Sequence, residues 1–164
     1  MKLNLSPYQV LTISFSSLIL CGAFLLMLPI SSQNGSSLSF IDALFTATSA
    51  VCVTGLIVVD TGTYFSTFGQ TIIIILIQIG GLGIMTITTV LAVLIGRRIQ
   101  LRSRLVAQES LNQLTLGGIV KLIKMLVKTT LAIEFIGGIL LSLCLYPDYG
   151  LKGIYMAFWH SISA

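Results

Sequence analysis

Charge is scarce in this sequence. Only 9% of its 164 residues are Asp, Glu, Lys or Arg, against about 25% in ordinary soluble domains, which leaves too little charge to clothe a water-facing surface. The single histidine and the three cysteines, Cys21, Cys52 and Cys144, form neither the spaced set of a transition-metal site nor a secreted disulfide framework. The cysteines therefore read as small apolar packing residues. No Ser/His/Asp set, paired carboxylates or phosphate-cradling glycine loop occurs, which excludes an enzyme and a chain-borne cofactor. Apolar residues make up 55% of the chain and the mean hydropathy is +1.03. This composition predicts an all-α integral membrane protein whose main surroundings are lipid.

The net charge of +4 is concentrated rather than spread. Arg97, Arg98, Arg102, Arg104, Lys121, Lys124 and Lys128 fall in one window between apolar runs, the mark of a cytoplasmic loop under the positive-inside rule. Nucleic acid is not the expected partner; solvated charges that orient the chain, or a surface for an acidic partner, both suit the window. Val10 to Ile30 carries no charge, and at ~1.5 Å per residue it is long enough to cross ~30 Å of hydrocarbon. It ends in Leu28-Pro29-Ile30 rather than a small-x-small cleavage site, favouring a span over a signal peptide. A second uncharged span is expected over Gln70 to Ile95 and a third span over Ile119 to Leu145, with Lys121, Lys124 and Lys128 near its start and a short surface helix over Leu105 to Leu114 between the two. This order puts the N-terminus and the 97–118 loop in the cytoplasm, and Asp42, Asp60 and Asp148 outside. The glycines of Gly80-Gly81-Leu82-Gly83 suit close helix packing, with a gating hinge as the alternative.

Between the first two spans lies Ser39-Phe40-Ile41-Asp42, a capping box in its acidic form that predicts a helix start. A helix from Phe40 to Ser49 rises only roughly 15 Å, half of what a crossing needs; it must enter the membrane and stop. Irregular backbone at membrane depth survives only where protein buries it or water lines it. The segment that follows, Cys52-Val53-Thr54-Gly55-Leu56, sits at the negative end of the helix dipole, so its carbonyls can replace the hydration shell of a cation. It has no carboxylate, which disfavours a hard divalent ion. Gly55 supplies backbone freedom there.

The chain also resembles itself. Ala43-Leu44-Phe45-Thr46-Ala47-Thr48-Ser49-Ala50 aligns with Ala157-Phe158-Trp159-His160-Ser161-Ile162-Ser163-Ala164, and each copy follows a span and an outer loop. The second outer loop is expected at Tyr146 to Gly150.

With these pieces in view, "FIDALFTATSAVCVTGL", "IIIILIQIGGLGIMT" and "AFWHSISA" resemble the first pore helix with its filter, the following membrane helix and the second pore helix of the Ktr/Trk/HKT potassium transporters. The motif is most similar to the bacterial Ktr-type membrane subunit. The resemblance implies repeated units of membrane helix, re-entrant pore helix with filter loop, and membrane helix: residues 1–104 as one repeat, and 105–164 as a cytoplasmic linker plus the first part of a second. It implies potassium uptake through K+ held by filter carbonyls, with Gly55 as the filter glycine. Relatives with serine there are associated with sodium permeation. It further implies Na+ or H+ coupling, a homodimer of full-length subunits in the cell membrane, and a cytosolic nucleotide-binding regulatory subunit facing the basic loop. Four filters must surround one ion path, so a truncated chain with missing C-terminal repeats is expected; a self-assembling cation channel built from further copies, or a non-conducting scaffold, are the alternatives.

Three further polar groups stand out. Glu134 is an acid inside a span, either functional or paired structurally with another helix. His160 is expected to bond within the packing rather than to a metal. Gln70 and Gln78 are expected to join helices.

Overall fold

The computed structural model describes residues 7–83, residue 86 and residues 119–164. These lie in two compact units divided between Val120 and Lys121. The expected surface helix at 105–114, the four arginines and the repeat boundary at 104/105 lie outside the described residues.

In the first unit, α1 (Pro7–Met27) is followed by a single 3-10 turn (Pro29–Ser31), α2 (Phe40–Val51), the one-turn α3 (Thr61–Tyr64) and α4 (Thr67–Leu82). Helix α1 carries no charged residue; Gln9–Met27 has a mean hydropathy of 2.2 and is long enough to span a membrane. Pro29 cannot continue an α-helix, and Ser31 seals the end by donating its hydroxyl to the Leu25 carbonyl at 2.7 Å.

Helix α2 begins where the capping box predicts: the Ser39 oxygen accepts from the Asp42 N–H at 3.2 Å and donates to the Asp42 carboxylate at 2.7 Å. Its 12 residues rise roughly 18 Å, about half a turn more than the sequence suggests and still short of a crossing. Ala43, Thr46, Ala47 and Ala50 are buried and recur at i, i+3, i+4 and i+7, so a stripe of small side chains lets α2 lie between α1 and α4. The opposite face exposes Ile41 and Phe45. Phe24 of α1 meets Phe40 of α2 with ring centroids 6.1 Å apart.

Helix α4 buries Gly69, Ile72, Ile73 and Leu76, again at helical spacing. A Cβ on Gly80 would run into the Val51 carbonyl, whereas one on Gly81 would stop 3.8 Å from the Val53 side chain. The glycine patch is thus a close-packing device at Gly80, against the end of α2. Gly83, at φ 79°, ends the helix, so the 16-residue α4 begins three residues before the expected 70–95 span and covers its described part as far as Leu82.

In the second unit, α5 (Ile119–Tyr149) is followed by α6 (Leu151–Ser163). Lys121–Tyr149 is long and apolar enough to cross a membrane, with a mean hydropathy of 1.8. Lys121, Lys124 and Lys128 are exposed. The expected outer loop at 146–150 is nearly absent: α5 continues through Pro147 to Tyr149 and reverses at Gly150 alone, whose φ is 57°. The α5–α6 hairpin packs tightly, since Cβ atoms on Gly138 and Gly153 would meet the Phe158 ring and the Leu145 carbonyl. The Ser161 hydroxyl donates to the Glu134 carbonyl at 2.6 Å. Ala157 is fully buried in α6, as its repeat counterpart Ala43 is in α2.

Candidate functional site: the loop after helix α2

Helix α2 ends in a Schellman motif. The Thr54 N–H donates to the Ser49 carbonyl at 3.0 Å and the Val53 N–H to the Ala50 carbonyl at 3.2 Å, the paired reversed bonds of that motif. The residue that must turn left-handed is usually glycine; here it is Val53, at φ 52°. A β-branched residue in that region is a genuine outlier, costing roughly 1–2 kcal/mol. Cys52 before it is right-handed, at φ −84° and ψ 0°. Val53 is the one non-glycine residue with positive φ among the described residues, and Gly55 follows at φ 73°. The sign of φ therefore alternates from Cys52 through Gly55. A Cβ on Gly55 would meet nothing within 4 Å, so backbone conformation, not space, requires glycine there.

Three hydroxyls stand near the end of α2. Thr46 and Thr48 donate back to their own helix, to the carbonyls of Asp42 at 2.8 Å and Leu44 at 2.7 Å. Ser49, which is buried, reaches out instead. Its hydroxyl donates to the Leu56 carbonyl at 2.7 Å and accepts from the Thr54 hydroxyl at 3.0 Å. Among the described residues, the carbonyls of Cys52, Val53, Thr54 and Gly55 accept no hydrogen bond, whereas that of Leu56 is engaged. Sequence reasoning placed all five in one stretch but missed Val53's handedness and Ser49's tether; a serine near a helix end has no local signature separating back-bonding from reaching forward.

Beyond the loop, a polar clamp fixes its far end. Asp60 accepts from the Thr63 N–H at 3.0 Å and from its hydroxyl at 2.6 Å. The Gln70 amide donates to the carbonyls of Thr61, Gly62 and Phe65 at 3.1 to 3.3 Å. Gln70 thus joins α4 to the one-turn helix α3 and to the Phe65 carbonyl just after it. Gln33 donates to the Gly62 and Phe65 carbonyls at 3.3 Å, the Ser66 N–H to the Ser31 carbonyl at 2.9 Å, and Phe65 is wholly buried beneath them. Residues 52–59 are therefore strung between α2 and this clamp.

The profile of the cation transport proteins named TrkH matches residues 5–164. The chain belongs to the TrkH family of cation transport proteins. The family carries transport rather than enzymatic function. Within it, the chain is 51% identical over 160 residues to the Ktr system potassium uptake protein B of Bacillus subtilis (strain 168), covering 97% of this chain and 36% of that protein. It is 42% identical over 162 residues to the potassium/sodium uptake protein NtpJ of Enterococcus hirae, covering 98% of the chain and 36% of the relative. It is 44% identical over 157 residues to the Ktr system potassium uptake protein B of Vibrio alginolyticus, covering 95% and 34%. The chain thus spans about a third of the length of these TrkH-family relatives.

Away from the loop, Glu134 is half-buried on α5, its main chain bonded to Ser161. The His160 side chain is exposed on α6 rather than packed as expected. No group of three His, Cys, Asp or Glu that could hold a metal occurs among the described residues. The indole N–H of Trp159 is buried without a partner among them.

Proposed function

We propose that this chain forms part of a potassium uptake subunit in the cell membrane and that Cys52–Leu56 is its ion-binding filter. The observation that carries the reading is the alternation of φ sign from Cys52 to Gly55. Alternating the hand of successive residues turns successive carbonyls toward one side of the chain, whereas a regular strand points them to opposite sides. Four carbonyls without hydrogen-bond partners among the described residues can then replace the water of a dehydrated K+. The negative end of α2 adds a favourable potential for the cation. The names of the relatives support potassium as the substrate, and the potassium/sodium uptake relative supports Na+ as a second or coupled cation.

One such loop cannot enclose an ion. Further filter segments, from sequence corresponding to the remaining length of the relatives or from other copies, complete the path. A dimer with a cytosolic nucleotide-binding regulatory subunit against the basic 97–118 loop follows from the family resemblance, and the filter opens on the outer side. Glu134 is either a functional intramembrane acid or a structural partner of a neighbouring helix.

The test is Gly55→Ser in the full-length protein, expressed in cells lacking their own potassium uptake. A side chain there finds space but suffers the strain of φ 73°, so the protein is expected to reach the membrane with its preference for K+ over Na+ reduced tenfold or more. Unchanged K+ and Na+ uptake removes the filter assignment.

A further inference from the structure

We infer that Ser49 is a positioning residue that narrows the Cys52–Leu56 filter to its first four carbonyls, holding the Leu56 oxygen against α2 so that the ion-facing set ends at Gly55. This rests on the filter reading above. Between Gly55 and Asp60 the backbone lies in neither helix nor strand, so no secondary-structure ladder fixes where the Leu56 carbonyl points. The Ser49 hydroxyl does so, at 2.7 Å.

A serine oxygen has one proton to give and lone pairs to receive. Here the proton goes to Leu56, and a lone pair receives the Thr54 hydroxyl. The Ser49 carbonyl also receives the Thr54 N–H. Three bonds from one helix residue thus straddle Gly55, gripping the loop on both sides of its most flexible position. Hydroxyls arranged in such a relay polarise and strengthen one another. The neighbours cannot substitute, because the Thr46 and Thr48 hydroxyls point back along α2.

Without the tether, the Leu56 carbonyl is free to swing toward the ion path and the loop loses its fixed spacing. The number and rigidity of carbonyl ligands are what separate K+ from the smaller Na+. Loss of the hydroxyl should therefore change discrimination rather than only the amount of folded protein.

The experiment measures initial K+ and Na+ uptake by the full-length protein with Ser49→Ala, Ser49→Thr, Thr54→Val and Gly55→Ser, each in cells lacking endogenous potassium uptake. Ser49→Ala is expected to raise the apparent KM for K+ and lower the K+/Na+ ratio about tenfold, equivalent to about 1.4 kcal/mol. Thr54→Val, which keeps the Leu56 tether but loses its support, is expected to lower the ratio about threefold, and Ser49→Thr to restore most of it. The ratio is taken on the same molecules and does not depend on abundance; should Ser49→Ala fail to reach the membrane, Thr54→Val decides. An unchanged ratio in Ser49→Ala, or in Thr54→Val where that variant decides, overturns the role of Ser49 if Gly55→Ser still alters it. Ser49→Thr no better than Ser49→Ala also overturns it. An unchanged ratio in every variant, Gly55→Ser included, overturns the filter reading itself.

Discussion

At Val53 the chain holds a branched side chain in a left-handed backbone conformation that α2's closing motif would ordinarily give to glycine. Such strain persists only where the surroundings over-determine it, and it gathers at functional sites. Here the surroundings are the bonds from Val53 and Thr54 to the end of α2 and the tether at Leu56. Val53→Gly removes the strain, so the folded state should be unchanged or up to about 1 kcal/mol more stable in thermal unfolding of the detergent-solubilised protein. The same substitution loosens the carbonyl spacing, so K+/Na+ discrimination in uptake should fall. A variant that gained stability and kept full discrimination would separate Val53 from the site. Gly55 poses the opposite case: open space surrounds it, and the cost of any side chain there is conformational.

At the scale of elements, the decisive contact is between the end of α2 and Gly80 of α4. A methyl group on Gly80 meets the Val51 backbone, which has no flexible end to move aside; on Gly81, the next residue, it makes only an ordinary contact with Val53. Gly80→Ala should therefore destabilise the protein by about 1–3 kcal/mol, the usual cost of overpacking, and depress uptake. Gly81→Ala should be neutral or gain up to about 1 kcal/mol from helix propensity. Thermal unfolding and uptake on the pair check this, and equal behaviour of the two would argue for a hinge spread over the glycine patch. The second unit uses the same device, with Gly138 beneath Phe158 and Gly153 beneath the Leu145 carbonyl. In the repeat alignment Ser163 stands where Ser49 does, and its hydroxyl donates to the His160 carbonyl at 3.1 Å.

At the scale of the whole molecule, the proposed orientation predicts which side of the membrane each exposed loop meets. Asn34 lies exposed in the loop after α1, and Lys124 lies exposed near the start of α5. With the three native cysteines replaced, Asn34→Cys should react with a membrane-impermeant thiol reagent added to intact cells, and Lys124→Cys only after permeabilisation. The reverse pattern would invert the topology and put the filter mouth inside. Much of the order of helices was legible in the sequence, because the signals are strong and local. A bilayer demands runs of apolar residues long enough to cross it, a serine and an acid three apart mark a helix start, and a helix too short to cross leaves irregular backbone at depth. Those rules located α1, α2, α5 and the Cys52–Leu56 loop. Other features depend on which atoms meet across the fold: the left-handed turn at Val53 rather than Gly55 alone, the direction of the Ser49 hydroxyl, the choice of the α3 and Phe65 carbonyls by Gln70, and the 146–150 turn shrunk to Gly150. A residue's hydrogen-bonding capacity is written in its type, and so the sequence alone determined a helical chain with membrane-length apolar runs and an irregular stretch after a short helix. Which partner each group takes depends on distances that only packing sets, and so the tertiary structure decided how that stretch is held.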